Sequence, residues 1–292
     1  MTVTVIPQGR RLGGGAAMGL DIRYVRAGAG EPVLLVHGIG HRRQAWDPVI
    51  PLLAEECEVI AIDLPGFGES PGLPKDMSYD MRTTIANFGD LLDDLGIETP
   101  HIVGNSLGAA IALELGAAGL ARSVVALAPA GFWTMAERRY AITLLSSLRM
   151  SARLPDSVLR RIASRPRLRR ESVRTIYSHP ERIDEERFLG DARAIRDSVG
   201  FRPTAAAGKT YHCHAAPSVP TTVAWGDRDR VLLPREADIA RQRLPNAVHI
   251  ALPGCGHVPM GDDPELVAKV ILRGTVAADS DSTDATKPAA TA

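Results

Sequence analysis

The chain has 292 residues, 45% of them hydrophobic and 23% charged, enough to bury a sizeable core as one large domain or one domain carrying an insertion. Its formal net charge is zero, which excludes a global field that draws in nucleic acid or an anionic membrane. Cys57, Cys213 and Cys255 are too few and too scattered for a disulfide framework and read as reduced thiols. Residues 1–20 show no signal-peptide pattern, and no apolar run approaches the roughly 18 residues of a spanning helix, so the chain reads as soluble and cytoplasmic.

In chain order, residues 3–6 and 22–25 are candidate antiparallel edge strands. The run 32–36 is short, apolar and closed by His37-Gly38, as a buried parallel strand requires. A helical stretch is expected over 44–54 and a second buried strand over 59–62. Residues 79–95 place Ile85, Phe88, Leu91, Leu92 and Leu95 at helical spacing, with Gly96 as the stop. A strand at 101–103, a helix at 107–120 and a strand at 124–127 follow. From about 131 to 216 strand signals fade. Helices are expected at 135–152, 156–164, 170–178 and 184–198, and arginines outnumber acids. An anionic ligand would explain that excess, but solvated basic helix faces are the commoner cause. Alternation resumes with a strand at 222–225, a helix at 235–244, a strand at 248–252 and a helix at 264–272.

This pattern predicts an α/β fold: a mostly parallel eight-stranded sheet with flanking helices, carrying an inserted helical lid. The core is expected over 1–130 and 217–274, the lid over 131–216, and a disordered tail over 275–292, which has almost nothing to bury. No signal of oligomeric state is present.

Gly104-Asn105-Ser106-Leu107-Gly108 sits where a strand ends and a helix begins. A tight turn there strains the serine backbone and exposes its hydroxyl, while the helix N-terminus offers free N–H groups to developing negative charge. A helix N-cap is the bland alternative for Ser106. Serine needs a base, and His257 lies in a Gly/Pro loop after a strand. His37, His41, His101, His179, His212, His214 and His249 compete. His212 and His214 flank Cys213, but further metal ligands are not evident nearby. The base needs an orienting carboxylate, and Asp227 and Asp229 both follow a predicted strand.

With His37-Gly38-Ile39-Gly40, Asp63-Leu64-Pro65-Gly66-Phe67-Gly68-Glu69-Ser70, the elbow at Ser106, Trp225-Gly226-Asp227-Arg228-Asp229 and Gly256-His257-Val258-Pro259 in that order, the chain resembles the α/β-hydrolase superfamily over residues 32–272, the lid excepted. The resemblance implies Ser106 as nucleophile, His257 as base and Asp229, in preference to Asp227, as acid. It places the oxyanion hole at the backbone N–H groups of Ile39 and Leu107. No cofactor or metal is implied. A serine elbow sets the chain apart from the haloalkane dehalogenases and epoxide hydrolases of this fold, which use aspartate. Carboxylic-ester hydrolysis ranks first, with the related cofactor-free haloperoxidases nearby. Asn105 resembles the carbon–carbon bond hydrolases of ring-cleavage pathways, whereas His41, Arg42 and Val258 depart from their pattern. A ligand receptor retaining its triad is the alternative of a different class. Phe132, Trp133, Met135, Leu145, Val258 and Met260 are candidate lining of an apolar acyl pocket. The expected partner is a small-molecule ester or related acyl substrate, with no nucleic acid and no membrane.

Overall fold

The computed structural model describes residues 6–8 and 20–284. Strands β1 (Ile6–Gln8) and β2 (Tyr24–Ala27) pair antiparallel at one edge, β2 two residues later than the sequence pattern suggests; residues 3–5 of the first expected strand lie outside the described residues. β3 (Pro32–Val36) follows, then a 3₁₀ turn (Arg43–Trp46) and the one-turn α1 (Ile50–Leu53). The single helix expected over 44–54 is therefore broken. Pro48 and Pro51 supply no N–H for it, and Pro51 instead stands in the first turn of α1. β4 (Glu58–Ile62), α2 (Met81–Leu95), β5 (His101–Asn105), α3 (Leu107–Ala117) and β6 (Ser123–Leu127) complete the first half. Asp80 caps α2 by accepting from the Thr83 N–H, and Gly96 ends it in the left-handed conformation, as a C-terminal glycine should.

Between β6 and β7 lie α4 (Met135–Ser151), α5 (Asp156–Ala163), α6 (Pro166–Val173), α7 (Glu185–Asp197) and α8 (Phe201–Ala207). Thr134 and Glu137 form a reciprocal capping box at the start of α4. Pro166 sets the start of α6 four residues ahead of the expected position, since proline is tolerated only in a helix's first turn. The helix α8 has no counterpart among the expected elements. β7 (Thr221–Gly226), α9 (Glu236–Arg243), β8 (Val248–Leu252), the short α10 (Pro259–Asp262) and α11 (Pro264–Asp284) close the chain. The tail expected to be disordered from 275 is helical to Asp284; residues 285–292 of that expectation lie outside the described residues.

Among the described residues, eight strands are ordered β1-β2-β4-β3-β5-β6-β7-β8, antiparallel at β1-β2-β4 and parallel elsewhere. Alternating side chains feed a core on each face: Leu34, Val36, Ile60 and Ile102 on one, Val33, Leu35, Val59 and Val103 on the other. From β3 the chain steps one way to β4 and then back across to β5. The carboxyl ends of β3 and β5 thus flank a switch point, where α/β sheets open a crevice. Val36 and Gly104 are level across that pair, so the loops beginning at His37 and Ser106 rise side by side.

Candidate active site

Ser106 follows β5 at φ 57°, ψ −113°, a left-handed conformation that a side chain tolerates only under constraint. Among the described non-glycine residues, Ser106 shares positive φ only with Ala128, at the end of the adjacent β6. Hydrogen bonds hold the turn: the Ser106 N–H donates to Leu127 O (2.9 Å), and the Ser106 carbonyl accepts from Ala110 (3.1 Å) and Ala130 (3.1 Å). The two glycines of the motif have separate reasons. A Cβ on Gly104 would overlap the Gly108 carbonyl, and one on Gly108 would overlap the Val36 carbonyl. Strand, helix and the β3 loop therefore meet backbone to backbone beneath Ser106.

Gly38 packs on the same turn, where a Cβ would lie 3.1 Å from Ser106 Cβ. His37 shapes this loop. Its Nδ1–H donates to Gly38 O (2.7 Å) and its Nε2 accepts from the Leu64 N–H (3.0 Å), which assigns one neutral tautomer. Burial pushes its pKa down to about 4, against the pull of Asp63. Asp63 in turn accepts from the Arg43 N–H, the Arg43 guanidinium and the Glu69 N–H, so residues 63–70 form a braced loop. Among the described residues, neither the Ile39 nor the Leu107 N–H has an acceptor, and both residues line a cavity with Ser106.

Asp229 and His257 stand on the loops after β7 and β8, which are neighbours in the sheet, and the structure brings them together. His257 Nδ1–H donates to Asp229 Oδ2 at 2.8 Å, with both side chains buried. Asp229 Oδ1 accepts from the N–H groups of Val231 (2.8 Å) and Leu232 (2.9 Å), so both oxygens are fixed. Asp227 does different work: its Oδ1 accepts from the Gly254 N–H (2.7 Å), tying two turns together at the surface. With Nδ1 carrying the proton, His257 Nε2 is the free lone pair. Ser106 and His257 line one cavity. Among the described residues no hydrogen bond joins their side chains.

Three contacts that place the histidine loop are not legible from sequence. Asn105 Nδ2 donates to His257 O (2.9 Å) and Leu127 O (3.2 Å). Ile176, in the chain after α6, accepts the His257 N–H (2.9 Å) on its carbonyl. Buried Asp262 accepts the N–H groups of Gly256 and His179 (2.7 Å each). Each joins positions far apart in the chain or involves only backbone on one side, which no local pattern reveals.

Two apolar cavities meet at Ile39, Ser106 and Leu145. The larger, about 420 Å³, runs past Phe67, Phe88, Trp133 and Tyr211. The smaller, about 180 Å³, lies between His257 and the inner faces of α4–α7. Its polar end holds His41, Tyr177 and Asp191, with His41 Nε2 3.3 Å from Tyr177 Oη and the Tyr177 hydroxyl donating to Asp191 (3.4 Å). Of the expected lining residues, Trp133 and Leu145 face the larger cavity and Leu145 and Val258 the smaller. Phe132, Met260 and Met135 face neither, which corrects the expectation. Phe132 and Met260 are spent in the core, and Met135, at the outer start of α4, is 66% exposed. His212 accepts from the Arg138 guanidinium (3.0 Å) at the wall of the larger cavity. Among the described residues no group of three or more His, Cys, Asp or Glu is placed to hold a metal.

A family model described as "Alpha/beta hydrolase family" matches residues 33–270. "Lipase 1" of Psychrobacter immobilis is 30% identical over 246 residues, covering 80% of this chain and 73% of that protein. The "2-hydroxy-6-oxo-6-(2'-aminophenyl)hexa-2,4-dienoic acid hydrolase" of Metapseudomonas resinovorans is 27% identical over 279 residues, 88% of each chain. Among solved structures, a thermophilic esterase from Thermogutta terrifontis superposes with a TM-score of 0.70 at 21% identity, covering 95% of this chain and 99% of that one, a likeness of fold.

Proposed function

The chain belongs to the alpha/beta hydrolase family, and from that premise we propose that it is a serine hydrolase cleaving small carboxylic esters through an acyl-enzyme. The observation that carries this reading is the buried 2.8 Å His257–Asp229 pair, facing the cavity onto which strained Ser106 opens. His257 Nε2 takes the Ser106 proton as Oγ attacks the ester carbonyl carbon. The N–H groups of Ile39 and Leu107 receive the oxyanion, and Asp229 stabilises the imidazolium. The tetrahedral adduct collapses with the proton passing from His257 to the departing alkoxide. Water, deprotonated by His257, then releases the acid and restores Ser106. The helices between β6 and β7 act as a lid, supplying one wall of each cavity. The apolar lining suits an uncharged acyl group, and the likeness to a lipase points the same way.

Ser106→Ala should lower turnover of p-nitrophenyl acyl esters by at least about 10⁴-fold. A fluorophosphonate should label the wild-type protein once per chain and leave the variant untouched. Activity surviving the substitution sinks the assignment. Labelling without steady-state turnover indicates a receptor that has kept its triad.

Carbon–carbon bond hydrolysis is the second reading, favoured by the 2-hydroxy-6-oxo-6-(2'-aminophenyl)hexa-2,4-dienoic acid hydrolase that aligns over 88% of both chains. Asn105, the residue that suggests it, is engaged with two backbone carbonyls, which accounts for it without a substrate contact. A vinylogous diketone acid hydrolysed faster than the best ester would reverse the ranking.

A further inference from the structure

The stretch from the end of α4 through α6 has two chemically different sides. Leu148, Ala152, Leu159, Ile162 and Val173 point inward and wall the smaller cavity. Residues 149–174 carry nine arginines against two acids, Asp156 and Glu171, with no lysine and no aromatic residue; Arg149 and Arg169 are half-buried and donate to backbone carbonyls, which leaves seven on the outer side. Arg153, Arg160, Arg161, Arg165, Arg167, Arg170 and Arg174 are exposed. Arg174 pairs with Glu171 (2.8 Å) and Arg160 approaches Asp156 (3.9 Å), while Asp156 is already held by Arg196 (2.6 Å). Among the described residues Arg153, Arg161, Arg165, Arg167 and Arg170 make no ion pair. Standing among these cations are exposed apolar side chains: Met150 (61%), Leu154 (42%), Val158 (38%) and Leu168 (44%).

A solvated basic helix face needs cations but has no use for exposed leucines between them. A surface for single-stranded nucleic acid would interleave aromatic rings for stacking, and this stretch has none; a duplex-binding face takes cations on the phosphates and gains nothing from exposed leucines among them. Arginines that bind phosphate in a bidentate manner, alternating with aliphatic side chains, match a surface of anionic headgroups with acyl chains just beneath. Leu154 joins the two sides, being both exposed and part of the cavity wall. We propose that the α5–α6 face docks on anionic lipid bilayers and sets the smaller cavity against the membrane surface.

Net charge concealed this face. Residues 131–216 hold seventeen Arg and Lys against nine Asp and Glu, while the remainder of the chain holds seventeen against twenty-five. The balance expected to exclude an anionic membrane is the cancellation of two opposed regions. Docking of this kind is peripheral: among the described residues no helix is long and apolar enough to cross a bilayer.

Flotation of the full chain with vesicles tests the assignment independently of catalysis. Phosphatidylcholine vesicles containing about one third phosphatidylglycerol should retain the protein at least about tenfold better than pure phosphatidylcholine, and salt near 0.5 M should erase most of that preference. Charge reversal in R161E/R165E/R167E/R170E should abolish retention, with circular dichroism and turnover of a soluble, uncharged short ester unchanged. Should that variant fail to fold, the milder pairs R161Q/R165Q and R167Q/R170Q must each weaken retention. L154S/L168S should weaken it while keeping the preference for the anionic lipid. Equal retention on both vesicle types, none on either, or wild-type retention by folded charge variants overturns the proposal. So does a duplex oligonucleotide that binds as tightly as the anionic vesicles.

Discussion

Asp229 shows how a single carboxylate can be read from two sides. Spacing alone leaves it level with Asp227, and only the resemblance favours it. The structure separates them by partners: His257 for one, the Gly254 N–H for the other. Asp229→Asn should preserve the fold, since the Asn oxygen can still accept from Val231 and Leu232, but its amide would face His257 and impose the wrong tautomer. Turnover should fall by about 10⁴-fold in steady-state kinetics; the same loss in Asp227→Asn would reverse the roles. Glu236, which no motif marks, makes a second case. It is fully buried, its Oε1 accepts from the Leu233 N–H (3.0 Å), and its Oε2 has no partner among the described residues. Burial, helped by the charges of Glu137 and Asp229, pushes its pKa up from 4.5 to about 8. Between those values the folded chain keeps a proton that the unfolded chain has released, so stability falls as pH rises through that window and levels off above it. Glu236→Gln keeps the acceptor and removes the titration. Its unfolding free energy should fall less between pH 5 and 9 than that of wild type, by at least about 1.4 kcal/mol, the worth of one pKa unit. Parallel slopes in urea titrations would contradict the buried proton.

Elements are legible where periodicity or chain punctuation is strong. The β3 and β8 runs coincide with their expected bounds because each is a short strand segment ended by loop-forming residues. The helix expected at 44–54 fails on two prolines, and α8 and α10 leave no sequence signal because seven and four residues hold too little periodicity. The elbow is legible as a motif, but its glycines acquire reasons only in three dimensions. Gly108→Ala would drive a methyl group into the Val36 carbonyl and within 2.7 Å of His37 O. Backbone cannot yield there without displacing the loop that carries Ile39. The variant should lose at least about 1–3 kcal/mol of stability together with most activity. Gly89, mid-way along α2, has nothing within 4 Å of the place an alanine methyl would occupy. Gly89→Ala should therefore gain about 0.5–1 kcal/mol with activity unchanged. Denaturation midpoints that moved together in these two variants would refute the packing argument.

Across the whole molecule, the least legible feature is how the inserted helices relate to the site. Their sequence carries no motif, and the contacts that bind them to the core are either backbone on one side, such as Ile176 O on the His257 N–H and Tyr140 Oη on Arg230 O (2.8 Å), or pairs far apart in the chain, such as Arg42 with Asp191 (3.1 Å). The consequence is electrostatic as well as steric. The cation-rich helices form one wall of the cavity beside Ser106, so their outer charges lie about one helix diameter, roughly 10 Å, from bound substrate. That is close to the Debye length at physiological ionic strength, about 8 Å, and well inside the roughly 30 Å at 0.01 M. A carboxylate-bearing ester should therefore be drawn toward the mouth at low salt, while a neutral ester of the same shape is not. As ionic strength rises from about 0.01 M to about 0.5 M, kcat/KM for the anionic ester should fall severalfold and that for the neutral ester should stay within about twofold. In R161E/R165E/R167E/R170E the salt dependence of the anionic ester should shrink or invert, because the same positions now repel it. A flat response to salt in wild type, or an identical slope in both proteins, would mean that the excess positive charge of residues 131–216 does not reach the entrance.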